Sequence, residues 1–241
     1  MVSCERQLNN MKQKKTNRFQ WPRLGIAALA LSAGCRTVPF DPVPLSDMRN
    51  RDPESARIAF ADTLSPRFEW RHALTFEFPF RRMAALGVIT GDREADSFAL
   101  VAFTHTGVTL FEARSVAGTL ETRFAIPEMA ERPEIGEAIA EDARRMFFNL
   151  VPPSDAHVRR ARRRLTYRTM AEEGRIEYDL GGAIPVLLEK RYRRGRRKDA
   201  TIRYFEYRKE GKYMRPFGIV LDNHRRHYRL VYRALPADET E

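Results

Sequence analysis

The histidines are the first candidates for chemistry, and their surroundings argue against it. His224 and His227 stand three residues apart in the run NHRRH, a spacing that could offer two metal ligands. Arg225 and Arg226 lie between them, and their positive charge opposes a bound cation. His72 falls on the apolar face of a predicted strand, where we expect a core histidine that hydrogen-bonds to a neighbour. Neither arrangement predicts a metal site.

The acidic residues and the known catalytic motifs lead to the same result. Glu137, Glu141 and Asp142 share one predicted helix, where we expect them on the solvated face. The sequence has no G-x-S-x-G, no H-E-x-x-H and no phosphate-binding loop. We therefore expect neither an enzyme nor a bound cofactor or metal. A hydrolase with an unrecognised site remains the alternative.

Cys35 is the residue with the clearest predicted chemistry. A basic segment precedes the apolar run LGIAALALSAGC, which is too short to cross a bilayer and is typical of a signal peptide. Its last residues, Leu31 to Cys35, resemble a bacterial lipobox, which implies diacylglycerol on the Cys35 thiol and cleavage after Gly34. The alternative is an ordinary signal peptide with an incidental cysteine. The sequence leaves open whether translation starts at Met1 or at Met11.

The sequence predicts three regions. Residues 1–34 form the signal peptide, residues 35–50 an extended proline-rich tether, and residues 51–241 one folded domain. Two signals mark the start of the domain, because Asp52 is a typical helix N-cap and Pro53 a typical first helical residue. A short helix is expected there, with Ile58, Ala59 and Leu64 on its apolar side.

Positive charge is concentrated in the second half of the chain. The net charge is +11 overall, −5 for residues 35–156 and +14 for residues 157–233. Such asymmetry favours an anionic partner, and in an exported protein anionic lipid or an acidic protein fits better than nucleic acid. Solvated strands rich in arginine are the alternative. The candidate contacts are Arg159, Arg160, Arg163, Arg193, Arg194, Arg196 and Arg197.

Residues 68–80 have the most regular pattern in the sequence. Apolar and polar residues alternate strictly, which predicts a strand with one strongly aromatic buried face. Such a face can line a cavity or fill a packed core, and the alternation does not separate the two. The candidate lining residues on this strand are Phe68, Trp70, Leu74, Phe76 and Phe78.

The remaining pattern predicts a mainly β, α+β domain. Short apolar runs separated by Gly and Asp indicate antiparallel hairpins, about ten strands in all. One long amphipathic helix interrupts them at residues 132–150, and it should bury Ile139, Met146 and Phe147 against the sheet. The basic runs 159–164 and 191–198 are expected to be loops.

This order of elements resembles the LolA/LolB-like outer-membrane lipoprotein superfamily. Two segments carry the likeness: residues 81–132, with an Ala117-Gly118 turn before the central helix, and the closing hairpin at residues 215–231. The resemblance implies a curved antiparallel half-barrel, lidded by helices, around an apolar cavity that takes an acyl chain. It also implies an exposed apolar loop, for which Met83 to Leu86 is a candidate that the pattern nevertheless predicts as strand.

The resemblance implies a function as well. It suggests an outer-membrane lipoprotein, anchored by acylated Cys35 and facing the periplasm, that binds an acyl chain or a lipidated client. Arg36 directly after the cysteine resembles the sorting signal for the outer membrane. The expected partners are the membrane, such a client, and an acidic periplasmic carrier or anionic lipid. The alternative is a structural or docking lipoprotein of the envelope with a packed core.

Overall fold

The structure is a computed structural model that describes residues 38–172 and 174–236. These residues form one compact unit. Its core residues all lie between Met48 and Ala234, so this unit carries its own hydrophobic core. Cys35, the predicted signal peptide and the first residues of the predicted tether lie outside the described residues.

In the described part of the chain, twelve antiparallel strands form one continuous sheet, with three helices beside it. The elements are α1 (Pro53–Asp62), β1 (Arg67–Glu77), β2 (Arg82–Asp92), β3 (Ser97–Phe103), β4 (Thr109–Val116), β5 (Thr119–Ala125), α2 (Pro127–Ala130), α3 (Pro133–Phe147), β6 (His157–Ala161), β7 (Arg164–Ala171), β8 (Gly174–Gly181), β9 (Val186–Arg194), β10 (Arg197–Glu210), β11 (Tyr213–Asn223) and β12 (Tyr228–Ala234).

The strand order explains why the barrel stays open. The sheet runs β5-β4-β3-β2-β1-β12-β11-β10-β9-β8-β7-β6, so β1 pairs with β12 and the edges are β5 and β6. The helices α2 and α3 connect these two edges, and α3 lies on the concave face. The predicted mainly β half-barrel with a short first helix and a central amphipathic helix is confirmed. The described residues form twelve strands where about ten were predicted, and one strand that was not predicted is β6, which lies in a basic run predicted as a loop.

Alternation in β1 produces the predicted two faces. Phe68, Trp70 and His72 are buried, and the residues between them are exposed. The first helix also forms as predicted, since Asp52 accepts a hydrogen bond from the Ser55 amide at 2.8 Å. Its expected apolar side is wrong. Ala56 and Phe60 are buried, whereas Ile58 is exposed.

The segment Val38–Asn50 has no regular secondary structure and is docked on the domain; we call it the N-terminal strap. Phe40 is buried against Phe205, with ring centroids 5.7 Å apart, and a Cβ at position 218 would overlap its ring. Arg233 donates to the Pro39 carbonyl at 3.0 Å. Further along, Met48 is fully buried. The strap is therefore part of the folded domain.

Candidate functional site

The helix α3 is held across the concave face by close packing at one side. The ring of Phe111 on β4 lies 3.3 Å from where a Cβ at Gly136 would be, so only glycine allows this approach without movement. Near the other end of the helix, Arg144 donates to the Ser115 hydroxyl at 2.6 Å. The helix therefore packs directly on β4 and β5 instead of standing above them.

Polar contacts tie the middle of α3 to the turn between β11 and β12. Asp142 accepts hydrogen bonds from the Tyr228 hydroxyl and from the Asn223 amide, the latter at 3.2 Å. One residue earlier, Glu141 forms ion pairs with Arg225 at 2.8 Å and Arg226 at 2.6 Å. The prediction of a solvated acidic face is wrong for Asp142, which is buried, and holds for Glu137, which is exposed.

The environment of Asp142 favours its protonated form. Burial raises the pKa of this carboxyl to about 6, although the hydrogen bond from Tyr228 and the charge of Arg145 oppose the rise. Burial, together with the neighbouring carboxylate, also raises the pKa of Tyr228. The contact that ties α3 to β12 therefore contains a group that titrates near neutral pH.

A buried lysine completes the attachment of α3. Lys190 on β9 donates to the carbonyls of Asn149 at 2.8 Å, Phe148 at 3.1 Å and Arg145 at 3.3 Å. These carbonyls belong to the C-terminal turn of the helix and the two residues after it, where groups lack partners within a helix. A positive charge at a helix C-terminus also interacts favourably with the helix dipole. Lys190 thus fixes the end of α3 from inside the sheet.

Four of the eight predicted lining residues form a packed core: Phe68, Trp70, Met146 and Phe147. The rings of Phe68 and Trp70 lie 4.5 Å apart, and Phe147 is 5.7 Å from Trp70. The Arg93 guanidinium covers the cluster, 4.4 Å from the Phe68 ring centroid. The structure brings these four residues together beneath the C-terminal half of α3, where they fill the interior.

The other predicted lining residues, Leu74, Phe76, Phe78 and Ile139, are partly or largely exposed. Phe76 pairs with Met83 across β1 and β2, and the ring of Tyr228 lies 6.3 Å from Phe76 and 5.7 Å from Phe78. Ile139 lies on α3, three residues before Asp142, and so on the side of the helix that contacts Tyr228. We call this set, with Met83 and Tyr228, the apolar mouth.

The turn between β1 and β2 extends the apolar surface outward. Phe78 to Arg81 form this turn, closed by the Phe78 amide donating to the Arg81 carbonyl at 2.8 Å. Phe80 at its tip is fully exposed. Met83 to Leu86, the candidate exposed loop, lie in β2, so the prediction that they are strand is confirmed. The run FPFRR was the signal in the sequence for this exposed turn, and it was missed.

A separate groove of about 650 Å³ opens on the opposite face of β1 to β5. It is wide, and its lining mixes apolar side chains with charged ones, which include Arg67, Glu69, Asp92, Arg114 and Arg123. Arg67 and Asp92 form an ion pair there at 2.8 Å. The lining shares no residue with the apolar mouth, so the groove is distinct from it.

The predicted anionic-partner residues are not brought together. Arg159 and Arg160 lie in β6 and Arg163 in the β6–β7 turn, at the edge of the sheet. The other set lies in the β9–β10 hairpin: Arg193, Arg194, Arg196 and Arg197. Registers through β7, β8 and β9 place the β6–β7 and β9–β10 turns at opposite ends of the strands. The two sets of arginines therefore belong to two separate surfaces.

His72 is a core histidine, as the sequence predicted. His72 is buried against Tyr232, and its Nδ1 lies 3.3 Å from the Trp70 carbonyl oxygen; burial lowers the pKa of His72 to about 4. His224 lies 3.0 Å from the Thr201 hydroxyl. In residues 38–172 and 174–236, no three His, Cys, Asp or Glu side chains converge as a metal site would need. Nor is any described helix both long and apolar enough to cross a membrane.

The fold is similar to that of a LolA superfamily protein of known structure. A LolA superfamily protein from Nitrosomonas europaea superposes with a TM-score of 0.54 at 10% identity, over 76% of this chain and 91% of its own. A putative outer membrane lipoprotein-sorting protein domain from Vibrio parahaemolyticus gives 0.45 at 12% identity, over 78% and 93%. A DUF1329 family protein from Desulfovibrio piger gives 0.47 at 7%, over 78% and 94%.

Sequence comparisons identify no further relative of this chain. No profile of a known protein family matches the chain, and no curated protein matches it. The likeness at such low identity establishes the fold, and the function has to be argued from the site.

Proposed function

We propose that this protein is a non-enzymatic lipoprotein of the outer membrane, anchored through acylated Cys35 and facing the periplasm. Its half-barrel binds an acyl chain or a lipidated client at the apolar mouth and acts in lipid or lipoprotein transfer. The observation that carries this proposal is the apolar mouth itself, where large apolar side chains stay partly exposed beside a helix that is fixed in place.

The apolar mouth has the properties of a site for a flexible apolar ligand. Phe76, Phe78 and Met83 are neighbours on one face, and together they form a continuous apolar surface of the kind that marks binding sites. Each buried methylene of an acyl chain contributes about 0.8 kcal/mol, so even partial cover of this surface gives useful affinity. The polar side-chain group of the apolar mouth, the Tyr228 hydroxyl, already donates to Asp142, which suits a ligand without fixed hydrogen bonds.

The exposed turn supports a role at a membrane. Phe80 corresponds in character to the exposed apolar loop that the resemblance to LolB implies, and Arg81 and Arg82 follow it directly. An aromatic side chain with adjacent arginines is favourable at the boundary between headgroups and acyl chains. The turn begins at Phe78, so a chain bound in the apolar mouth would lie next to the membrane contact.

Close packing of the interior favours a second candidate, a structural or docking lipoprotein. Phe68, Trp70 and Phe147 are in mutual contact and leave the buried half of the face occupied. In this alternative, the apolar mouth binds a protein partner instead of an acyl chain. The two candidates differ in whether the purified domain carries lipid.

Native mass spectrometry of the chain from Val38 to Glu241 tests the proposal. We expect co-purifying lipid, reduced in Phe76→Glu and Met83→Glu because each places a carboxylate in the apolar mouth. Phe124→Glu is the matched control, since Phe124 is exposed on β5 outside the mouth. A folded wild-type domain that neither carries lipid nor takes up added phospholipid or lipopeptide would sink the proposal and favour the docking candidate.

A further inference from the structure

The β9–β10 hairpin carries a concentration of unpaired positive charge. Five of the six residues from Arg193 to Lys198 are cationic, and we call this segment the basic hairpin. Residues 194 to 198 are all exposed, and no carboxylate among the described residues pairs with any of the five cations. By contrast Arg191, two residues earlier, contacts Glu177, Asp179 and Glu189. Among the described residues, positive charge is therefore neutralised beside the hairpin, whereas the hairpin itself has no acidic partner.

The strand registers place the basic hairpin at the same end of the sheet as the exposed Phe80 turn. Glu77 pairs with Arg229 at the start of β12, and Asn223 at the end of β11 pairs with Ala200 near the start of β10. The turns β1–β2, β11–β12 and β9–β10 therefore share one end of the sheet. Three inter-strand steps separate β1 from β10, or about 14 Å along the sheet.

A second exposed apolar residue belongs to the same end. Met170, 76% exposed, pairs with Arg175 near the β7–β8 turn, and Arg175 pairs with Arg193. Apolar side chains thus stand on both sides of the basic hairpin, Phe80 towards β1 and Met170 towards β7. Each is isolated, and neither forms part of the continuous apolar mouth.

We propose that the basic hairpin, flanked by Phe80 and Met170, is a docking surface for an anionic lipid bilayer. This inference rests on the proposed function, since it names the surface towards which the apolar mouth opens. Arginine and lysine interact with anionic headgroups, and isolated apolar side chains insert between them. A bilayer accepts contacts that are spread over several turns without shape complementarity, whereas a protein partner requires a packed, continuous patch.

Vesicle co-sedimentation of the chain from Val38 to Glu241 tests this docking. The hairpin variant is Arg194→Gln/Arg196→Gln/Arg197→Gln. The matched control is Arg159→Gln/Arg160→Gln/Arg163→Gln, which removes the same charge from exposed residues at the β6 edge. Vesicles contain phosphatidylcholine alone or with about 30 mol% phosphatidylglycerol, the anionic component.

We expect wild type and control to bind the anionic vesicles and not the neutral ones, with binding lost at high salt. Each basic residue near the surface contributes about fivefold, so the hairpin variant should bind roughly 100-fold more weakly. Absence of wild-type binding, or an equal loss in both variants, overturns the inference. So does unchanged vesicle binding in a hairpin variant that has lost affinity for polyglutamate, which would assign the surface to an acidic protein.

The two proposals fail separately. Lipid that co-purifies with a domain indifferent to anionic vesicles would leave the acyl-binding function standing and remove the docking surface. Hairpin-dependent vesicle binding by a domain that never carries lipid would do the reverse.

Discussion

Replacing Asp142 by asparagine should stabilise the protein at neutral pH and remove part of its pH dependence. The side chain is 2% exposed and its pKa is raised from 3.8 to about 6 by burial. The folded state therefore holds a proton that the unfolded state releases between these values. Stability contributed by this group is complete below pH 4 and is lost as the pH rises to about 6.

The size of the effect follows from the shift. A pKa shift of about two units corresponds to a free-energy difference of about 3 kcal/mol between the protonated and ionised forms. This is an upper bound on the stability that the substitution can add. Asparagine is uncharged and nearly isosteric, and its carbonyl can accept from Tyr228 or Asn223. It loses one acceptor, at a cost of about 1 kcal/mol. We expect Asp142→Asn to raise the free energy of unfolding at pH 7.5 by about 1–2 kcal/mol.

Urea unfolding of both proteins between pH 4 and pH 7.5 gives the measurement. The difference in unfolding free energy should be smallest at pH 4 and grow to its full value near pH 6. His72, whose lowered pKa gives the opposite slope in this range, contributes equally to both proteins and cancels. Glu137→Gln is the control, because Glu137 is exposed on the same helix and should change nothing. A variant less stable than wild type at pH 7.5 would refute the reasoning, since the ionised hydrogen bonds would then outweigh burial.

Two further predictions concern the attachment of α3 and of the N-terminal strap. Lys190→Met should lower the free energy of unfolding by about 3–5 kcal/mol, because three carbonyls lose their donor. The control Lys198→Met should have little effect. Thermal and urea unfolding measure the stability of both variants. Equal stability of the two variants would contradict this role of Lys190. Phe40→Ala should lower the free energy of unfolding by about 3 kcal/mol and speed proteolysis within Val38–Asn50, because Phe40 is buried against Phe205. The control is Leu45→Ala, since Leu45 is exposed. Unchanged proteolysis of Phe40→Ala would mean that Phe40 does not hold the strap.

Local pattern predicted the elements of the fold well where one signal dominated. Alternation identified β1, and apolar spacing with Pro133 identified α3. The strand β6 was missed because Arg159 and Arg160 lie in it, and charge on an exposed edge strand looks the same as charge in a loop. Phe40 was missed because a proline-rich segment shows no period that would mark a docked residue.

The candidate site was predictable only in part, because it depends on which strands are neighbours. Alternation placed Trp70 and Phe76 on one face, but the position of Phe147 decides that Trp70 is core and Phe76 is not. Similarly Lys190 lies in a charged run and gives no sign of burial, since lysine is rarely buried. Its partners come from α3, about 40 residues away in sequence.

In the proposed protein, acylated at Cys35, the docked strap determines how far the domain can reach from its anchor. A free segment of 16 residues from Cys35 to Asn50 would extend to about 55 Å, with a typical span of about 22 Å. Because Phe40 is fixed on the sheet, only five residues separate the acylation site from the domain, or about 18 Å at full extension. Along β1, the level of Gly218 lies four residues from Glu77, or about 13 Å, and the turn that carries Phe80 begins beyond Glu77. In an acylated copy with Phe80 at the bilayer, residues 35–40 would therefore have to be almost fully extended. Such a copy has little freedom to move towards a distant protein that carries a client. A client would have to be delivered to the membrane surface beside it.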